Sequence, residues 1–183
     1  MSNFITALIF MAKLAETPGP FISFHEKSYT LPDHGVLILK VPDEWSDRVS
    51  LPHGEGLPPN ILFMPKSGEQ FQILFTPIWE GLIALENLGA TEGIRQLVGD
   101  EAKNASAQSV EKNIKINEIH GTHIGFYFTA TDKAPRPGEY KYMTQGAVRI
   151  DKIIGMFTIL TNNPNSHVVE QALIMFVESK HVQ

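Results

Sequence analysis

The chain has 183 residues, of which 43% are hydrophobic, 19% are charged and none is cysteine. This length suits one domain with a core that needs no disulfide, and the absence of cysteine excludes thiol nucleophiles and thiolate metal sites. The net charge of −5 and the lack of a basic run argue against a nucleic-acid binder, which needs clustered lysine and arginine.

Residues 1–20 form an apolar N-terminal segment that ends at a Thr-Pro-Gly-Pro boundary. The apolar run has the length of a signal-peptide core, but no lysine or arginine precedes it and the cleavage pattern is poor. Two interpretations stay open: an export signal, with a periplasmic or secreted protein, or a packed element of a cytoplasmic protein. Residues 21–183 are predicted to form a single domain. No apolar stretch reaches roughly 18 residues, so no transmembrane span is expected.

Strand-like segments separated by proline and glycine occupy most of the chain after this boundary. Apolar alternation predicts strands over 21–31, 36–41, 60–64, 70–76, 114–119, 122–131, 140–150 and 153–161. Residues 43–59 are predicted to be a loop, and Pro77 is expected to end the strand before it.

Two helices are predicted from apolar residues at intervals of three and four. The first covers 91–108, and its stripe consists of Ile94, Leu97, Val98, Ala102 and Ala105. The second begins near Pro164 and is expected to bury Val169, Ala172, Leu173, Phe176 and Val177. Strands joined by short turns are antiparallel, so the predicted fold is α+β, with a single sheet of about six or seven strands covered by helices.

Several segments together resemble the PsbP-like fold family. They are a proline-ended strand followed by tryptophan (VPDEW, Val41 to Trp45), the hairpin PPNILFMPKSGEQFQILFTP, the stretch GFYFTATDKAPRPGEYKYMTQGAVRI (Gly125 to Ile150) and FTILTN (Phe157 to Asn162). The family includes the extrinsic PsbP subunit of photosystem II and a small Ran-binding nuclear import factor. The last two segments are more similar to an uncharacterised bacterial envelope family. The resemblance covers most of 21–180 and implies an α/β/α sandwich and an exported protein, but no activity.

The most distinctive candidate site is the segment 132–141, a predicted hairpin loop stiffened by two prolines. It brings together charged residues of both signs, which suits recognition of a protein partner or a small anionic ligand: Asp132, Lys133, Arg136, Glu139 and Lys141. In the alternative interpretation Asp132 caps the turn and the cations are only solvated.

A second set of candidates consists of aromatic and amide side chains in the neighbouring strands. Tyr127, Tyr140, Tyr142 and Gln145 are expected either to line a ligand groove on one sheet face or to pack structurally.

Sequence motifs of the common enzyme classes are absent. The chain has no phosphate-binding loop, no G-x-G-x-x-G, no G-x-S-x-G and no H-E-x-x-H. His120 and His123 flank a turn without an evident further ligand, so no metal and no cofactor is predicted. The leading hypothesis is a non-enzymatic binding module without catalytic residues. The alternative is a hydrolase-type enzyme that pairs Asp132 with a histidine, its site lying between the 132–141 hairpin and the His53 loop. The oligomeric state is left open.

Overall fold

Seven antiparallel strands form the main sheet in the computed structural model, which describes residues 22–52, 56–79 and 90–183. Numbered along the chain and given in sheet order, they are β3 (Trp45–Ser50), β4 (Asn60–Pro65), β5 (Phe71–Trp79), β9 (Ile153–Thr161), β8 (Tyr142–Ile150), β7 (Gly125–Thr131) and β6 (Asn117–Ile119). Successive side chains of each strand point to opposite faces of the sheet. This sheet confirms the predicted α+β class.

A second, three-stranded antiparallel sheet was not predicted. It consists of β1 (Phe24–Thr30), β2 (Val36–Pro42) and β10 (Lys180–Val182), with β2 in the centre. The expectation of a single sheet is therefore corrected. Leu37, Leu39 and Val41 of β2 are fully buried, and they belong to the same hydrophobic cluster as the inner face of β5 and β9.

Helix α1 (Ala90–Ser106) covers one face of the main sheet and confirms the first predicted helix. Ile94, Val98 and Ala102 are buried against Phe126 and Phe128 of β7. Glu92 in the first turn and Lys103 in the last turn carry the charge signs that suit the helix dipole.

Helix α2 (Val168–Val177) lies on the opposite face, between the main sheet and β2. The ring of Phe176 contacts those of Phe75 and Phe157, at centroid distances of 5.0 and 4.7 Å. The predicted stripe is wrong in part. Ala172 and Phe176 are fully buried, whereas Val169, Leu173 and Val177 are half-buried at the rim of the core. The helix is rotated so that Val168 and Met175, which the stripe omitted, face the core.

The segment 43–50 is a turn followed by β3, not the predicted loop, and Pro77 lies inside β5 opposite Gly155. Within β5, only residues 73–75 pair with β4. At Pro77, β9 is therefore the single partner of β5 among the described strands. A residue without an N–H is tolerated at such a position. Within the described ranges, no helix is long and apolar enough to cross a membrane.

Candidate functional site

The 132–141 hairpin connects β7 to β8, and its own carboxylates brace it. The Asp132 N–H donates to the Lys141 carbonyl (2.8 Å) and closes the loop. Asp132 Oδ1 accepts the Ala134 N–H (2.8 Å), and Glu139 Oε2 accepts the Arg136 N–H (2.9 Å). The predicted turn-capping role of Asp132 is thus present. Because the carboxylates bond to backbone N–H groups and two prolines fix φ, the loop is held in one shape.

The three cations of the hairpin differ in their surroundings. Lys133 Nζ donates to the Ala107 carbonyl (3.1 Å), which ties the hairpin to the end of α1. Lys141 Nζ lies 5.6 Å from the centre of the Tyr142 ring. Arg136 is exposed, and its guanidinium has no hydrogen bond or ion pair with the described part of the chain. The hairpin therefore presents Arg136 to solvent.

Glu111, which sequence reasoning missed, fastens the base of the hairpin. Its carboxylate accepts the hydroxyl protons of Ser109 and Thr131 and the N–H of Thr131 (2.9 Å). Burial raises the pKa of this carboxyl, but the hydrogen bonds from Ser109 and Thr131 outweigh burial and lower the pKa to about 2. Glu111 thereby joins the segment after α1 to the end of β7.

We expect Glu111→Gln to lower the free energy of unfolding by about 1–2 kcal/mol at neutral pH, after allowance for solvent screening. The native carboxyl titrates well below the ordinary value of 4.5. Its stabilising effect is therefore complete above that value and is lost as the pH falls through the native pKa. Denaturant titrations at several pH values should show the difference between wild type and variant shrinking in acid. Glu44→Gln, in the exposed turn before β3, is the control; an equal loss there would contradict a specific role.

A cavity of about 170 Å³ lies beside the hairpin, between it and the end of α1. Apolar side chains from α1, β7, β8 and β9 form much of its wall: Ala105, Ala130, Met143 and Leu160. Tyr140 and Lys141 add polar groups. Gln108 and Asp132 also line a second, more open depression that contains Arg136 and Glu139, so the two hollows adjoin.

The structure does not bring the second candidate set together. Tyr127 pairs with Gly146, whereas Gln145 pairs with Phe128, so the side chains of Tyr127 and Gln145 lie on opposite faces of the sheet. Tyr127 faces α2, and Gln145 lies near Leu74 and Thr158 on the other face. Tyr142 is half-buried beside Lys141. Of the four side chains, Tyr140 is the one that lines the cavity beside the hairpin.

The hydrolase hypothesis requires a histidine close to Asp132. Asp132 has no hydrogen bond or ion pair with a histidine of the described segments. Three of these histidines bond elsewhere: His25 to Asp43, His123 to the Ser179 carbonyl, and His181 to the His34 carbonyl. His53 lies outside the described residues, so its pairing with Asp132 stays a prediction. In the described ranges, no three His, Asp or Glu side chains cluster closely enough to hold a metal ion.

Comparison with known proteins adds no assignment. No family model, curated protein or solved structure matches this chain. The resemblance to the PsbP-like family therefore stays a prediction, and the function has to be argued from the site itself.

Proposed function

We propose that this protein is a binding module whose 132–141 hairpin recognises an anionic group on a protein partner or small ligand. The observation that carries the proposal is that Arg136 is exposed and held on a rigid loop. The loop around it is braced by its own hydrogen bonds, while the guanidinium remains exposed and unpaired among the described residues. A planar guanidinium can hold a carboxylate or phosphate through two hydrogen bonds, and a preformed loop loses little entropy on binding.

The adjoining cavity supports recognition of a ligand that is apolar as well as anionic. Its volume of about 170 Å³ suits one apolar side chain or a small aliphatic group. Met143 and Leu160 would contact that group, while Lys141 lies at the same cavity and Arg136 in the neighbouring depression. Asp132 and Glu139 also face the depression and would repel a second negative charge. This favours a singly charged group, such as one carboxylate beside an apolar side chain.

A pair of probes that differ in one charge tests this proposal. N-acetyl-leucine has a carboxylate next to an isobutyl group, and N-acetyl-leucinamide has the same shape without the charge. In amide NMR titrations at low ionic strength, we expect N-acetyl-leucine to shift resonances of the 132–141 hairpin and to bind about three- to fivefold more tightly than the amide. Added salt should remove the difference.

Arg136→Gln should abolish the preference for the charged probe without changing the melting temperature. Lys115→Gln removes an exposed cation elsewhere and is the matched control; it should bind like wild type. Equal affinity for both probes, shifts confined to other surfaces, or unfolding of Arg136→Gln would contradict the proposed function.

A further inference from the structure

A groove of about 490 Å³ runs between α2 and the β6–β7 edge of the main sheet, away from the hairpin cavity. Tyr127 and Ile119 contribute from the sheet, and Val169, Leu173 and Val177 contribute from the helix. These three helical residues are the ones that proved half-buried instead of buried. The described part of the chain therefore leaves an apolar stripe of α2 partly exposed beside the sheet.

The dimensions of the groove suit an extended peptide. Val169, Leu173 and Val177 are four residues apart, so they lie on one face of α2 and extend over about 12 Å of helix axis. Roughly four residues of extended chain cover that distance. At one end of the groove the turn after β6 approaches the helix closely, because a Cβ on Gly121 would lie 2.8 Å from the Val177 Cβ.

One side of the groove is an edge strand with backbone groups available for pairing. β6 pairs with β7, and it has no second partner among the strands within the described ranges. Unpaired N–H and C=O groups of such a strand can bind another extended chain. An open strand edge beside an apolar helix face is the arrangement in which peptides bind by adding a strand to a sheet.

The charges around the groove indicate which side chains a bound peptide would have. Glu118 and Glu170 are its acidic lining residues, His120 also lines it, and no lysine or arginine is among its lining residues in the described part of the protein. The side chain of Glu170 is 74% exposed, and its nearest ion-pair partner is His167 at 3.8 Å. A basic side chain of an incoming peptide would meet complementary charge here, and an acidic one would be repelled.

We infer that this groove binds an extended segment of a partner protein that has alternating apolar side chains and at least one lysine or arginine. The apolar side chains contact Leu173 and Tyr127, the basic side chain faces Glu170 and Glu118, and the peptide backbone pairs with β6. This site lies apart from the hairpin and does not depend on the function proposed for it.

A random peptide library displayed on phage, panned against the full chain, provides the probe. We expect the selected peptides to share alternating apolar positions and an excess of lysine and arginine. A selected peptide should bind Leu173→Asp at least tenfold more weakly and Glu170→Lys about three- to tenfold more weakly than wild type. Hydrogen exchange of the β6 amides should slow when the peptide is bound, since pairing protects them.

Two matched variants control for general effects of these substitutions. Leu74→Asp places the same charge at a partly exposed leucine on the other sheet face, and Glu92→Lys reverses an exposed charge on α1. Both should bind the peptide like wild type. Since Glu170 is exposed, Glu170→Lys keeps the test valid if Leu173→Asp fails to fold.

Three outcomes would overturn the inference. The first is no enrichment, or enrichment of acidic peptides. The second is a peptide whose affinity is unchanged by Glu170→Lys or whose binding leaves β6 exchange unaltered. The third is a wild-type dimer that dissociates on Glu170→Lys, because the groove would then be occupied by a second copy of this chain.

Discussion

Phe176→Ala is expected to lower the free energy of unfolding by about 3–5 kcal/mol, the cost of removing a fully buried aromatic side chain. The ring has no exposed surface and contacts the rings of Phe75 and Phe157. Its loss would leave a cavity where α2 meets the centre of the main sheet. A denaturant titration monitored by circular dichroism measures the change.

Leu173→Ala, three residues earlier on the same helix, is the control. Leu173 is half-buried at the groove, so we expect about 1 kcal/mol, since much of the leucine surface is already hydrated. Comparing the unfolding free energies of the two variants tests which face of α2 packs against the main sheet. Similar losses at the two positions would show that Leu173 belongs to the core and that the groove is closed in solution.

Gly146→Ala is expected to destabilise the protein by about 3 kcal/mol through overpacking. Gly146 lies in β8 between Tyr127 of β7 and Phe157 of β9. An added Cβ would lie 2.3 Å from the Phe126 carbonyl oxygen and 2.6 Å from Phe157 Cζ. Relief would require movement of a backbone that is paired on both sides, and this movement accounts for the size of the effect.

Gly99→Ala provides the matched comparison for this substitution. Gly99 lies in α1, and the nearest atom to an added Cβ is Ile116 Cδ1 at 3.4 Å. Alanine also has the higher helix propensity, by up to about 1 kcal/mol. Thermal melting should therefore show Gly99→Ala unchanged or stabilised. Equal destabilisation at both glycines would mean that the packing around Gly146 is not the cause.

The elements that the sequence predicts well are those whose pattern is local. The strand predicted over 153–161 and the helix predicted over 91–108 agree closely with β9 and α1, because their own alternation or stripe determines which face is buried. β3 was missed because only Trp45 of its residues is buried, so it has little apolar alternation. β10 was missed because three residues cannot show a period; its pairing with β2 defines it.

The candidate site was predictable to the extent that it depends on a single loop. The 132–141 hairpin follows from prolines and charges close together in the chain. The role of Glu111 depends on Thr131, which the tertiary fold brings to it. The register between β7 and β8 decides whether Tyr127 and Gln145 lie on the same face of the sheet, and it is set across a ten-residue connection. A register shift of one residue would move one of the two side chains to the other face.

The position of β10 in the small sheet has a consequence for biosynthesis. Lys180 pairs with Ile38 and Val182 with Val36, so β2 obtains its second partner from the last strand of the described chain to leave the ribosome. Until then the nascent protein has an apolar strand with one open edge, which can pair with a neighbouring chain. Ribosome-bound intermediates that stop before residue 180 should therefore need chaperone protection, and this requirement ends when β10 docks.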